Sequence, residues 1–116
     1  MPDQHLYVEY GQKDFSLKNF TKDQLSGVRF IGTTLVGARF DGGTNYFDVT
    51  FEHCNMIGAV LDNAAFSGTL SFKGSNLTNA SLRNATHKGV LIPKSLLAEA
   101  SSLSGTILPD GTIHHA

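Results

Sequence analysis

Large apolar residues return at every fifth position through most of the chain: Leu25, Phe30, Leu35 and Phe40, then Tyr46, Phe51, Met56, Leu61 and Phe66, then Phe72, Leu77 and Leu82. This period fits neither a helix, with about 3.6 residues per turn, nor a flat strand, with its alternation in twos. A short fixed repeat is the pattern of a solenoid, in which each turn of chain buries its apolar side only against its neighbours. Two residues before each centre stands a small or β-branched residue: Val28, Thr33, Ala38, Val49, Cys54, Ala59, Ala64, Ser75, Ala80 and Ala85, with Leu70 the bulky exception. Two residues after it stand Gly27, Gly32, Gly37, Gly42, Asp48, His53, Gly58, Asn63, Gly68, Gly74, Asn79, Asn84 and Gly89. Nearly all of these tolerate the positive φ that a tight corner requires. Each pentapeptide therefore reads as a short extended piece and a corner, with the centre and the small residue inward and the other three positions outward.

Four such sides close a square coil of about twenty residues, and successive coils stack at roughly 4.8 Å, the spacing of hydrogen-bonded strands. The pattern slips by one residue between Phe40 and Tyr46 and again between Phe66 and Phe72. With those slips allowed, four vertical columns emerge: Tyr10, Phe30, Phe51, Phe72; Phe15, Leu35, Met56, Leu77; Phe20, Phe40, Leu61, Leu82; and Leu25, Tyr46, Phe66, His87. The small positions sort in the same way, with Ala38, Ala59 and Ala80 in one column and Val28, Val49 and Leu70 in another. Each buried Phe or Leu contributes roughly 1.5–3 kcal/mol of transfer free energy. The expected fold class is all-β, a square β-solenoid with a short C-terminal capping helix.

The runs Leu25 to Phe40, Ala59 to Phe66 and Leu77 to Ala85 resemble the pentapeptide-repeat proteins, whose tandem motif is A(D/N)LXX. The resemblance implies a right-handed quadrilateral β-helix over about residues 25–90. Within residues 25–90 an Asn precedes the centre only at Asn45, Asn55 and Asn76. Lys13, Lys18 and Asp23 occupy expected small positions, so residues 1–24 read as an N-terminal cap with an irregular first coil, in which Asp14 to Gln24 forms either an irregular turn of the coil or a short helical turn. Residues 91–116 read as a cap and tail. There Pro93 to Ala100 predicts one short helix with Leu96, Leu97 and Ala100 as its apolar face over the last coil, and Pro109-Asp110-Gly111 predicts a turn.

Composition narrows the function. The chain has 116 residues, a formal net charge of -1 and 16% charged residues, so nothing draws it strongly to nucleic acid or membrane. The N-terminal residues show no signal sequence or membrane span, which points to the cytoplasm. Cys54 is the single cysteine and falls at an inward small position, the setting of an inert thiol. His53 adjoins it, but alternation directs the two apart. His87 takes a centre position and reads as a hydrogen-bonded core residue. His114 and His115 lie in a tail expected to be mobile and lack the other ligands of a metal site. Asp41 and Asp62 fall one coil apart on an open face beside Arg39 and Arg83, a solvated charge ladder rather than a general acid and base. Asp110 sits in the predicted turn. No catalytic, metal or cofactor constellation is read from the residues, and the chain is read as a non-enzyme.

One surface feature stands apart. Val36, Ile57 and Val60 fall outward near one corner, with Ile31 on the adjoining side, and a vertical apolar stripe of this kind suits a contact with another protein. The core ladder Phe30, Phe51, Phe72, Phe40, Leu61, Leu82 supplies the rigidity behind it. The leading expectation is a module that presents a rigid surface to a protein partner, as a monomer or homodimer. The family resemblance implies an alternative, since some members protect DNA gyrase by imitating duplex DNA. That imitation needs a long acidic rod, and a net charge of -1 on about four coils argues against it.

Overall fold

Short extended segments separated by left-handed corners stack in parallel, as the five-residue step requires. The computed structural model describes residues 3–115. Among the described residues eight strands and one helix follow in order: β1 (Gln4–Leu6), β2 (Glu9–Gly11), β3 (Gln24–Ser26), β4 (Arg29–Ile31), β5 (Tyr46–Glu52), β6 (Ala65–Ser71), β7 (Thr86–His87), β8 (Val90–Leu91) and α1 (Lys94–Leu97). The molecule is an all-β solenoid of about four turns with one short helix.

The registers reproduce the columns read from the sequence. Tyr10 pairs with Phe30 and Phe30 with Phe51, in parallel. His5 pairs with Leu25, Leu25 with Tyr46, Tyr46 with Phe66, and Phe66 with His87. The other two faces pair through single bridges: Asp14, Thr34, Asn55, Asn76 and Ser102 form one ladder, and Asn19, Arg39, Val60, Ser81 and Ile107 the other. The second slip in the repeat is a bulge in β6, where the register shifts between Phe47 and Val49. Asp48 supports the bulge, its Oδ1 accepting the Thr69 amide at 2.7 Å.

The interior is filled by the columns themselves. Phe20, Phe30, Phe40, Phe51, Leu61, Phe72 and Leu82 are fully buried. Aromatic rings of one column stack nearly parallel, Phe20 on Phe40 at 4.9 Å and Phe51 on Phe72 at 5.3 Å. Tyr46 is buried with its hydroxyl donating to the Phe20 carbonyl at 2.8 Å.

The ends depart from the expectation. Residues 4–24 are a regular coil rather than an irregular cap, with β1, β2 and the bridges at Asp14 and Asn19 in the parallel pattern. Large and charged residues fit its inward positions because no described coil lies above them. Lys18 reaches out over the Phe20 ring, 5.3 Å from its centre, and Lys13 is exposed. At the other end the parallel stack stops. β8 folds back antiparallel on β7, and α1 follows with Leu97 buried. The C-terminal segment is not a loose tail: Ile113 pairs antiparallel with Ile107, and His114 exchanges backbone hydrogen bonds with Gly105 and Thr106.

Candidate functional site

Three places on the surface combine exposure with chemistry: the corner that carries the apolar stripe, the polar plug of the first coil, and a cavity under α1.

The stripe forms where the face of Leu35 and Met56 turns into the face of Phe40 and Leu61. The Gly37 amide donates to the Ile57 carbonyl and the Leu17 amide to the Val36 carbonyl, so Val36 and Ile57 stand one coil apart on this corner. Both are half-buried. Val60, also half-buried, follows on the next face between Arg39 and Ser81. Ile31 is not in this group; it lies at the end of β4 beside Gly11 and Glu52, at the preceding corner.

The sequence reading omitted the most exposed member. Leu17 is 76% exposed and tops the same corner, directly over Gly37, where an added Cβ would meet Leu17 Cδ2 at 2.7 Å. Its φ is +63°, a conformation that disfavours branched side chains. Tyr7 repeats the arrangement at the diagonally opposite corner, with φ +50°, 85% exposure and its ring over Gly27. Leu6 and Phe47 stand in one outward ladder beside it, each partnered through Ser26, and Phe47 is 51% exposed. A signal was present in the sequence: Tyr7 and Leu17 sit two residues after centres, where the coils stacked on them use Gly, Asn or Asp.

The plug is built on His5, the centre of the first coil. Its Nδ1 lies 2.7 Å from the Tyr10 hydroxyl and its Nε2 3.0 Å from Asp23 Oδ2. Asp23 also accepts the Asp3 amide at 3.3 Å through its other oxygen. Asp3, His5 and Asp23 bring three possible metal-ligand atoms within 4.8 Å of one another, but both His5 nitrogens are already engaged. Burial, then the negative charges of Asp3 and Asp23, raise the Tyr10 phenol above its ordinary value, so it keeps its proton at neutral pH. The arrangement closes the open mouth of the tube with satisfied polar groups, and nothing in it prepares a nucleophile.

The other candidates of the sequence reading fall to separate places. Cys54 is buried, its Sγ directed to the Phe30 carbonyl at 3.2 Å, and burial pushes the thiol up. His53 is exposed and does not share its environment. His87 is half-buried and bonds through Nε2 to the Gly68 carbonyl at 2.6 Å. Asp41 pairs with Arg39 at 2.8 Å, while Asp62 accepts from Ser81 and from the Arg83 amide, so the two carboxylates serve separate partners. Asp110 accepts from the Thr112 amide and hydroxyl in the last turn. The cavity, of about 230 Å³, lies between α1 and the C-terminal segment and is lined by Lys94, Leu97, Ala98, Leu103, Leu108 and His114.

Residues 47–84 match the family model described as pentapeptide repeats, in eight copies. Over that stretch the chain carries pentapeptide repeats, and its columns and corners form a β-solenoid. Among solved structures it is similar to QnrB1, a plasmid-mediated fluoroquinolone resistance protein, at 22% identity, over 76% of this chain and 42% of that one, with a TM-score of 0.48. It is also similar to a pentapeptide repeat protein of the Arabidopsis thaliana thylakoid lumen, at 22% identity, over 88% and 69% of the two chains, with a TM-score of 0.41. A third likeness is to the pentapeptide repeat protein Rfr23 of the cyanobacterium Cyanothece 51142, at 20% identity, over 72% of each chain, with a TM-score of 0.34. The chain thus spans 42% and 49% of the two QnrB1 chains it matches. No curated protein matches it in sequence.

Proposed function

We propose that this chain is a binding module that offers the corner built from Leu17, Val36 and Ile57, flanked by Val60, to an apolar patch on a protein partner. The observation that carries the reading is Leu17: a large apolar side chain, 76% exposed, held at φ +63° over Gly37, one position along the corner from the Val36–Ile57 pair. Strained backbone persists where the surrounding fold over-determines it, and it concentrates at places that do something. The stacked core supports the reading in a second way. A coil filled by its own side chains holds outward groups at fixed spacing, so the corner is preorganised and little ordering entropy is lost on contact.

The test compares two corners. Leu17→Asn keeps a residue that accepts positive φ and removes the apolar contact; Ile57→Lys places a charge in the stripe. Tyr7→Asn does the same at the opposite corner. Captures from the native cell are compared across the four proteins, with the bound partner purified and its affinity measured. The expected result is a partner that binds the wild-type and Tyr7→Asn chains alike and binds the Leu17→Asn and Ile57→Lys chains at least about tenfold more weakly, the scale of a central contact. A partner unaffected by the stripe substitutions would overturn the proposal. Leu17→Asn is expected to raise stability by about 0.5–1 kcal/mol, by relieving the left-handed leucine.

A further inference from the structure

The first coil breaks the repeat at two inward positions together. His5 stands where the coils stacked on it carry Leu25, Tyr46 and Phe66. Asp23 stands at the inward position that Ala64 and Ala85 hold in later coils. The two side chains are only 11% and 10% exposed and lie in contact. A fold that departs from its own pattern at touching positions does so most often where something functional is built.

The charges there are unevenly matched. Asp3 and Asp23 flank a single imidazole. Lys18 approaches Asp3 alone, at 4.0 Å, and His5 is the one basic partner of Asp23 among the described residues. The buried carboxylate therefore relies on a ring that is positive only when it holds a second proton, whereas a divalent ion supplies that charge permanently. The Tyr10 phenol senses the same field, since after burial it is the negative charges of Asp3 and Asp23 that raise it.

The imidazole is also oriented for ligation. One ligand atom from each of Asp3, His5 and Asp23 lies within 4.8 Å of the others. His5 Nδ1 is 2.7 Å from the Tyr10 hydroxyl, so the Nδ1–H tautomer donates to that oxygen and turns the Nε2 lone pair toward Asp23 Oδ2, 3.0 Å away. Metal-bound imidazoles are held in this way, the far nitrogen giving its proton to an outer oxygen that fixes the ring. Two atoms 3.0 Å apart that each bond one ion at about 2.0–2.2 Å subtend about 90° at it, an ordinary angle between neighbouring ligands. The Asp3 side chain is 64% exposed and has room to swing onto the same ion.

We propose that His5 Nε2, Asp23 Oδ2 and the Asp3 carboxylate bind one divalent transition-metal ion at the mouth of the tube, with water in the remaining positions. The ion takes over the contact between Nε2 and Asp23, and the proton that lay between them passes to solvent. The contact of Nδ1 with Tyr10 persists. A mixed imidazole and carboxylate set favours first-row transition ions over Mg²⁺, which prefers oxygen alone. The ion clamps Asp3 to Asp23 and so fastens the start of the first coil beside β3. The site shares no residue with the stripe corner, so the two proposals stand or fall independently.

The test titrates the full chain with Zn²⁺, and separately with Mg²⁺, while NMR follows the ring nitrogens of its five histidines. The His5 ring is expected to shift first and saturably, with Nε2 as the metallated nitrogen, and Mg²⁺ to bind at least about tenfold more weakly. Asp3→Asn keeps the hydrogen bonds of the plug, because the Asp3 side chain pairs only with Lys18 among the described residues. It is expected to weaken Zn²⁺ by at least about tenfold, and Tyr10→Phe, which frees Nδ1 but keeps the ring, by about tenfold. Zn²⁺ should also raise the urea midpoint of the wild-type chain more than that of the Asp3→Asn chain. Shifts confined to His53, His87, His114 or His115, equal Zn²⁺ affinity of the wild-type and Asp3→Asn chains, or equal binding of Mg²⁺ and Zn²⁺ would each overturn the proposal.

Discussion

The ring of Phe30 lies 5.2 Å from that of Phe51 with only 3° between their planes, and Phe51 continues onto Phe72 at 5.3 Å and 5°. Phe51 is thus the middle of a three-ring stack that crosses three coils, and it also meets Phe40 edge-on at 5.5 Å. Phe51→Ala removes contacts to both neighbouring coils at once. The expected loss is about 3–5 kcal/mol, read as a shift of the urea midpoint, since the stack cannot close a gap without breaking its strand spacing. A loss below about 1 kcal/mol would mean that the rings do not share this column.

A second ladder runs beside the first. Thr33 donates to the Tyr10 carbonyl at 2.8 Å, Ser75 to the Phe51 carbonyl at 2.8 Å, and between them the Cys54 thiol approaches the Phe30 carbonyl at 3.2 Å. Cys54→Ser replaces a weak donor by the hydroxyl its neighbours use, and is expected to alter stability by less than about 0.5 kcal/mol. Ser75→Val leaves the Phe51 carbonyl and the Cys54 amide, which Ser75 Oγ also accepts at 3.0 Å, short of a buried partner. A loss of about 1–3 kcal/mol is expected there. Burial also raises the thiol above its ordinary value, so Cys54 should resist alkylation near neutral pH until the chain unfolds.

Adjacent glycines separate two physical causes. Gly42 sits at φ +73° with open space where a Cβ would go, so Gly42→Ala should cost about 1 kcal/mol from backbone strain alone. Gly43 is not in that conformation, yet an added Cβ would overlap the Tyr46 ring and hydroxyl. Tyr46 cannot move without releasing the Phe20 carbonyl. Gly43→Ala is therefore expected to be the more damaging, by about 1–3 kcal/mol of overpacking in thermal or urea melts.

The Arg39–Asp41 pair gives a pH signature. The hydrogen bond from Arg39 holds the Asp41 carboxyl below its ordinary value, against a smaller opposing effect of burial. A carboxyl depressed in the folded state adds stability above its unfolded value, and that contribution is lost as pH falls through the folded value. The Arg39 side chain is 53% exposed, so screening keeps the contribution small. Arg39→Met is expected to destabilise the chain slightly at neutral pH and progressively less as the pH falls below the ordinary carboxylate range, read by urea midpoints across that range.

The four columns were legible because each inward position between two coils meets the same surroundings, and those surroundings select the same residue class. Phe30, Phe51 and Phe72 align for that reason. Residues 4–24 lacked this constraint on one side. Asp23 looked misplaced as an inward residue, but it is stabilised by His5, which is eighteen positions away and carries no pattern of its own. The same one-sidedness hid Leu17 and Tyr7, whose neighbours across the coil, Gly37 and Gly27, looked like ordinary corners. At the other end the apolar residues Leu96, Leu97 and Ala100 were visible and pack on the core, but the helix predicted over Pro93 to Ala100 is only Lys94–Leu97, and Ala100 lies beyond it. The pairing of Ile113 with Ile107 was not, because one antiparallel bridge after a turn leaves no period to read.

That reversal of direction has a consequence for polymer growth. A further coil can add only to an edge whose amides and carbonyls run in the parallel sense, and β8 with the Ile113 segment occupies the far rim in the opposite sense. At that rim the parallel ladder is therefore terminated, and continuing the stack there would first require β8 and the Ile113 segment to be displaced.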